Sequence, residues 1–154
     1  MQKPFKSKMT SRLVYTLWSV LGVILISGCS PASNQMNLKG LNLAPISNMP
    51  DYVRDAPVSV QQAYQFAVAN PDFLTQIPCY CGCREVGHNS NYDCYVKANN
   101  SDGSPLFEAH ALGCLICVDI TQDSMRLLTR GKTVNQIRDY IDGTYSKYDP
   151  SNLP

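Results

Sequence analysis

The sequence predicts a mainly α-helical protein: a small domain of about three helices with a cysteine-rich loop, preceded by a signal peptide and a flexible tether. Apolar residues recur at helical spacing in three segments after residue 58. Gly, Asn, Ser and Asp are concentrated in residues 84–105, which is typical of a loop. The predicted boundaries are 1–28 for the signal peptide, 29–57 for the N-terminal segment and tether of the mature chain, and 58–154 for the helical domain.

The first 28 residues have the features of a secretory signal. Four basic residues precede an apolar run, and no acidic residue accompanies them: Lys3, Lys6, Lys8 and Arg12. The apolar run, residues 13–26, is shorter than the roughly 20 residues that a membrane-spanning helix needs. A plain membrane helix is therefore the less favoured interpretation, and the mature chain is expected outside the cytoplasm.

The sequence ISGC at residues 26–29 resembles the lipobox of bacterial lipoprotein precursors. The resemblance implies cleavage before Cys29 and acylation of that cysteine on sulfur and on its new amino group. Several acyl chains together give stable anchoring, whereas one chain is marginal. We therefore expect a bacterial membrane protein, lipid-anchored and facing the extracytoplasmic side, whose lipidated Cys29 takes no part in metal or disulfide chemistry.

The mature chain is mildly acidic. Removing the leader takes four of thirteen basic residues and none of twelve acidic ones, which leaves a net charge of −3. No basic stripe indicates nucleic-acid binding. Residues 30–57 are rich in Ser, Asn and Pro without helical or alternating periodicity, and they are predicted to form the tether.

Three helices are predicted in the domain. The first has Ser59 as its N-cap and runs to about residue 70, where Pro71 breaks it and starts a short second turn. The second covers about residues 111–129 and ends before Gly131. The third begins after the N-cap Thr133 and carries an apolar stripe: Val134, Ile137, Tyr140, Ile141 and Tyr145. Within the loop, the segment YDCYV at positions 92–96 is predicted to form a short strand or helical turn.

Three cysteines alternate within the sequence PCYCGC at residues 78–83. A disulfide between positions two apart closes a strained ring, so Cys79, Cys81 and Cys83 are expected to pair elsewhere or to bind metal. Gly82 permits the tight backbone path that brings their sulfurs together. Close-packed thiols favour soft cations such as Cu(I) or Zn over Mg and Ca.

A second group of candidate ligands lies near the start of the second helix. His110, Cys114 and Cys117 share one face if that helix extends back to residue 110. If it begins after Gly113, both cysteines lie in its first turn, where the helix dipole lowers thiol pKa. His88 and Cys94 can add ligands from the loop, and all eight side chains lie within residues 79–117.

Two other interpretations remain open. Six cysteines can form three disulfides that staple a small structural or interaction domain, as is common outside the cytoplasm. Alternatively, Cys114 and Cys117 can act as a thiol–disulfide redox pair at a helix start, although no βαβ pattern is visible. No nucleophile motif supports hydrolase chemistry.

The cysteine and histidine pattern resembles that of the bacterial PCYCGC-motif lipoproteins, a family without an assigned biochemical function. The resemblance covers roughly residues 58–145, through PCYCGC at 78–83 and GCLICVDI at 113–120. It supports one matched set of side chains: Cys79, Cys81, Cys83, His88, Cys94, His110, Cys114 and Cys117. It implies no reaction.

The favoured prediction is a membrane-anchored lipoprotein that binds a thiophilic metal for sequestration, delivery or sensing. Cu(I) is narrowly preferred over Zn because alternating thiols suit low coordination numbers, although no methionine cluster accompanies them. The metal ligands are predicted to be Cys79, Cys81, Cys83, Cys114 and Cys117, with Cys94, His88 and His110 as additional candidates. The expected partners are the membrane, through the lipid, and a metal-donor or metal-acceptor protein. We expect no enzymatic activity unless the thiol redox alternative holds.

Overall fold

The structure is a computed structural model that describes residues 40–154. The predicted signal peptide and the lipidation of Cys29 lie outside these residues. Six α-helices are described: α1 (Asp51–Arg54), α2 (Val58–Ala69), α3 (Pro71–Leu74), α4 (His110–Gly113), α5 (Leu115–Leu128) and α6 (Val134–Tyr145). Two strands form one antiparallel hairpin: β1 (Val96–Asn99) and β2 (Pro105–Phe107). Short 3-10 turns cover Ile46–Asn48, Cys83–Val86 and Tyr92–Cys94. The mainly α-helical class predicted from the sequence is confirmed.

The three longer helices form the core, with α5 packed between α2 and α6. Each turns an apolar face inward at helical spacing, so that Phe66 of α2 and Ile137 and Ile141 of α6 are completely buried. Burial of a side chain of this size contributes about 1.5–3 kcal/mol to folding. Along the described part of the chain, no helix combines the length and the apolar character needed to cross a membrane.

The helix starts show where local sequence signals decide and where they do not. Thr133 is the N-cap of α6 as predicted. Its side chain accepts a hydrogen bond from the Gln136 backbone N–H, and the Gln136 side-chain oxygen accepts one from the Thr133 backbone N–H. The prediction for α2 is wrong, since Pro57 occupies the N-cap and Ser59 lies within the first turn. Proline has the fixed φ that suits a helix start, and here it precedes Val58.

Part of the segment assigned to the tether packs on the helical domain. Met49 and Val53 are buried, with 2% and 0% of their surface exposed. The Ala44 backbone N–H donates to the Gln65 carbonyl of α2 over 3.0 Å. Residues 44–53 of the predicted tether therefore include buried positions, because scattered apolar residues can be buried without any periodicity.

The predicted single helix over residues 111–129 is interrupted. Cys114 has φ −118° and ψ 97°, an extended conformation that separates α4 from α5 and makes Cys114 the N-cap of α5. The shared helical face for His110, Cys114 and Cys117 is therefore wrong, and the alternative of a helix that begins after Gly113 is the one observed. The predicted short element at residues 92–96 is a 3-10 turn that runs into β1.

Candidate metal centre

The PCYCGC segment follows α3 and is held in place by the C-terminal residues. The Cys79 backbone N–H donates to Asn152 Oδ1 over 2.6 Å, and the Asn152 N–H donates to the Cys79 carbonyl over 3.1 Å. Asn152 Nδ2 also lies 3.4 Å from Cys83 Sγ. Both residues of the pair are buried, so these bonds fix the segment without competition from water.

Gly82 gives the segment its turn. Its φ of +77° lies in the left-handed region that favours glycine, and a Cβ there would stand 3.3 Å from Asp149 Oδ2. The turn places Cys83 at the start of the following 3-10 turn. The expectation that Gly82 permits a tight path for the sulfurs is confirmed.

Four sulfurs converge beneath this turn. Those of Cys79, Cys81 and Cys117 form a nearly equilateral triangle, with separations of 3.4, 3.5 and 3.4 Å. The Cys94 sulfur lies 3.3 Å from that of Cys117. These distances far exceed the disulfide bond length of about 2.05 Å. All six cysteines in the described residues are free thiols, and Cys79, Cys94 and Cys117 are fully buried.

A buried polar network positions Cys117 at the start of α5. The Tyr95 hydroxyl donates to the Cys117 carbonyl over 2.8 Å and lies 2.7 Å from Thr121 Oγ1. Asn91 Nδ2 donates to the same carbonyl over 3.3 Å, and its Oδ1 accepts from Thr121 Oγ1 over 2.6 Å. The loop that carries Cys94 is thereby joined to the helix that carries Cys117.

Two histidines border the sulfurs. His110 Nε2 lies 3.5 Å from Cys81 Sγ. His88 is 8% exposed, and its buried Nδ1 has no hydrogen-bond partner among the described residues. The two imidazole rings meet edge to face with centroids 5.1 Å apart. His88 is thus buried beside His110 and groups with the sulfurs of Cys83 and Cys94.

The candidate ligand atoms fall into three overlapping groups, in each of which all atoms lie within 4.8 Å of one another. The central group contains Cys79, Cys81, Cys94 and Cys117. A second contains Cys81, His110, Cys114 and Cys117, and the third contains Cys83, His88 and Cys94. The structure therefore brings all eight side chains singled out in the sequence into one connected set that could hold metal.

The sulfurs share protons unequally. The hydrogen bond from Cys117 lowers the pKa of Cys79 to about 4 and also lowers that of Cys81. Hydrogen bonds with Cys114, Cys79 and Cys81 raise the pKa of Cys117, and the hydrogen bond with Cys117 is the main cause that raises the pKa of Cys94. Cys114 has its pKa lowered to about 7, chiefly by a hydrogen bond with Cys117. Neighbouring sulfurs of the cluster therefore lie close enough to share protons, and a thiophilic cation would replace those protons.

His110 responds to the neighbouring thiolate. Burial lowers its pKa, but the hydrogen bond with Cys81 and the charge of that sulfur together raise it above the usual value. An imidazole beside a thiolate can either hold a proton in an ion pair or release it and bind metal through nitrogen. Both behaviours require the contact with Cys81 that the structure shows.

The residues that orient the cysteines carry no signal that singles them out in the sequence. Asn152 lies beyond the last predicted helix, and Asn91, Tyr95 and Thr121 are ordinary loop and helix residues by their sequence context. A buried polar side chain leaves no periodic signal when its partners are distant in the chain. Of these residues, only Tyr95 lies in the segment at 92–96 that is predicted to form a short strand or helical turn, and Asn91 lies in the predicted loop of residues 84–105.

The fold and site define a class: a small helical domain whose helices, loop and C-terminal residues enclose a cluster of cysteines and histidines. The family model described as "Protein of unknown function with PCYCGC motif" matches residues 25–153. The chain belongs to this family. Comparisons with curated proteins and with solved structures find no match.

Proposed function

We propose that this protein is a membrane-anchored extracytoplasmic lipoprotein that binds a thiophilic metal for sequestration, delivery or sensing. The observation that carries the proposal is the convergence of the Cys79, Cys81, Cys94 and Cys117 sulfurs, three of them from buried residues and that of Cys81 from a half-buried one. Buried thiolates need compensation for their charge, and a soft cation supplies it.

The sulfur–sulfur distances are close to those of a metal-bound site, so metal binding would need only small movements of the cysteines. A tetrahedral zinc site with Zn–S bonds of about 2.3 Å has sulfur–sulfur edges of about 3.8 Å. The observed separations of 3.3 to 3.5 Å would therefore open by only a few tenths of an ångström. Cu(I) is narrowly preferred because the triangle of Cys79, Cys81 and Cys117 suits three-coordinate Cu(I). Cys94 as a fourth sulfur keeps Zn close behind.

The proposed location follows from the lipobox-like residues 26–29 and the expected acylation of Cys29. An extracytoplasmic metal protein tethered to the bilayer can meet a donor or acceptor protein at the membrane surface. We propose such a partner as the source or destination of the metal. The proposal includes no enzymatic reaction.

A thiol redox role is the second candidate, favoured by one observation. Cys114 is the N-cap of α5, with Cys117 in the first turn, and the pKa of Cys114 is lowered to about 7. Such a dithiol can exchange with a disulfide. However, Cys117 also contacts three sulfurs from other segments, and the described sheet is a two-stranded antiparallel hairpin without a βαβ unit. These contacts suit a metal cluster better than a two-sulfur redox centre.

The proposal is tested by metal analysis and thiol counting. The full chain is purified in detergent without oxygen or chelator, and it carries Cys29→Ser so that the thiol count does not depend on acylation of that cysteine. We expect at least one copper or zinc per chain, and its loss in Cys81→Ser/Cys117→Ser. The matched control is the chain with Cys29→Ser alone, which keeps all six thiols of the cluster.

Two results would count against the proposal. A metal-free chain whose intact mass lies about 6 Da below that of the reduced form would instead contain three disulfides, as in a stapled domain. A metal-free chain in which only Cys114 and Cys117 exchange with a redox buffer would favour the redox role.

A further inference from the structure

We propose that the eight side chains form three adjoining metal sites, so that the domain holds a polynuclear metal–thiolate cluster in which Cys81, Cys94 and Cys117 bridge neighbouring ions. This inference rests on the proposed function and extends it to the number of ions and to the role of each cysteine. It also assigns the buried imidazole of His88 to a site of its own.

The cluster contains more candidate ligand atoms than one metal ion can bind. A structural zinc ion takes four ligands, and Cu(I) takes fewer. Six sulfurs and two imidazoles are at least twice what one ion can bind. They are also divided in space, since the ligand atoms converge within 4.8 Å only inside each of three groups. A single ion would therefore leave several buried thiols without a ligand role.

The three ligand groups are joined to one another by cysteines that they share. Cys81 and Cys117 belong to both the central group and the group with His110, and Cys94 belongs to both the central group and the group with His88. The sulfur of Cys94 lies 3.9 Å from that of Cys83 and 3.3 Å from that of Cys117. A thiolate sulfur has enough lone pairs to bind two soft cations, so each shared cysteine can bridge.

Cys83, His88 and Cys94 form a buried outer site that a metal ion would stabilise. All three residues are buried, and His88 Nδ1 has no partner among the described residues. A buried polar atom that stays unpaired destabilises the folded state. A metal ion held between the two sulfurs would give that nitrogen a ligand role and remove the penalty.

Metal ions can reach the outer ligand groups from solvent through a cavity. A partly open cavity of about 480 Å³ is lined by both histidines together with Asp93 and Glu108. Each outer group therefore ends in an imidazole at the same cavity, which gives cations a route from solvent to both ends of the cluster. The wall also contains Lys97, so two acidic residues face one basic residue, and this formal excess of negative charge favours the approach of cations.

Binding involves no change in oxidation state. Each thiol that becomes a ligand releases its proton to solvent, and the sulfur forms one bond to each metal ion it contacts. The ions keep the charge with which they arrive. The total number of protons released therefore depends on how many thiols are still protonated in the metal-free chain.

The test is an anaerobic titration of the full chain in detergent, carrying Cys29→Ser, with Cu(I) and separately with Zn²⁺. Competition against a chelator of known affinity gives the number of ions bound. We expect three ions per chain and metal–metal scattering in the X-ray absorption spectrum. Cys83→Ser and Cys114→Ser each remove one thiol from opposite outer groups, so each is expected to lower the number by one.

His88→Gln serves as a second variant for the site with Cys83, with folding checked by circular dichroism. If the variants do not fold, the stoichiometry and scattering of the parent chain decide the question. One ion per chain without metal–metal scattering would overturn the polynuclear cluster and leave the proposed function standing. Failure to bind any metal would overturn both.

Discussion

Asn152 and Cys79 form a reciprocal pair of hydrogen bonds although they lie 73 positions apart in the chain. The side-chain oxygen of Asn152 accepts from the Cys79 N–H, and the Asn152 N–H donates to the Cys79 carbonyl. The same side chain reaches Cys83 Sγ through Nδ2. The last residues of the chain therefore hold both ends of the PCYCGC turn.

Replacing this clamp should destabilise the domain and loosen the cluster. Asn152→Ala leaves the buried Cys79 N–H without its acceptor, so we expect a loss of about 1–3 kcal/mol in the free energy of unfolding. Urea denaturation of the metal-free chain measures it. Metal affinity should also fall, because Cys79 and Cys83 are no longer fixed.

The control is Asn100→Ala, which removes an exposed side-chain hydrogen bond to Ser104 in the hairpin turn. Surface changes of this kind alter stability by less than about 0.5 kcal/mol. Equal effects of the two variants would contradict a special role for Asn152.

Thr121→Val should disconnect the loop from α5. The hydroxyl of Thr121 contacts both Tyr95 and Asn91, which in turn bond to the Cys117 carbonyl. Valine has nearly the same shape but cannot pair with these buried groups, so we expect a loss of about 1–3 kcal/mol. Urea denaturation again provides the measurement.

Thr129→Val is the matched substitution at the end of the same helix, where the threonine is exposed and bonds only to the Arg126 carbonyl. Its effect should stay within about 0.5 kcal/mol. A Thr121→Val chain as stable as the Thr129→Val chain would show that the network adds nothing to the fold.

The helical class and the residues of the cysteine and histidine cluster could be predicted because they leave local signals. Apolar periodicity marks α2, α5 and α6, and the Thr133 cap with Gln136 is readable from four consecutive residues. Cys79, Cys81 and Cys83 lie too close together in the chain to form unstrained disulfides with one another, which indicates pairing with other cysteines or metal binding. None of these inferences depends on a distant part of the chain.

What could not be predicted depends on tertiary contacts. The extended conformation of Cys114 breaks a segment whose propensity is helical, and it turns Cys114 toward the cluster formed with Cys81 and Cys117. The burial of Met49 and Val53 depends on the α2 surface that they cover. The position of Asn152 depends on the path of the chain after α6. The lipidation of Cys29 stays a prediction.

Alkaline pH should destabilise the fold through its buried tyrosines. Burial, followed by the hydrogen bond to Asp142, raises the pKa of Tyr80 to about 12, above its ordinary value of 10.0. Burial also raises the pKa of Tyr64 and Tyr145. Because the folded chain keeps these protons longer than the unfolded chain, their contribution is present below pH 10 and is lost as pH rises toward 12.

Urea denaturation at a series of pH values between 9 and 12 measures this slope in the metal-free chain. Tyr80→Phe has no proton to release and should flatten it, whereas Tyr148→Phe changes an exposed tyrosine and should leave it unchanged. The difference between the two variants cancels the titration of the thiols. Parallel slopes in both would contradict the raised pKa of Tyr80.

Gly82→Ala tests the turn that brings the sulfurs together. A left-handed conformation costs a non-glycine residue about 1–2 kcal/mol, and the added Cβ would stand 3.3 Å from Asp149 Oδ2. We expect a loss of stability of at least that size, together with weaker metal binding because Cys81 and Cys83 flank the glycine. Denaturation of the metal-free chain and a chelator competition measure the two effects separately.

Gly143→Ala is the matched control, since this glycine lies inside α6 with no atom within 4 Å of an added Cβ. In an exposed helical position alanine is favoured over glycine by about 1 kcal/mol, so this variant should gain stability and bind metal as the parent chain does. The same Gly→Ala substitution is therefore expected to lower the free energy of unfolding at Gly82 and to raise it at Gly143. A neutral Gly82→Ala variant would mean that residues 79–83 can reach the cluster by a path that does not need the left-handed turn.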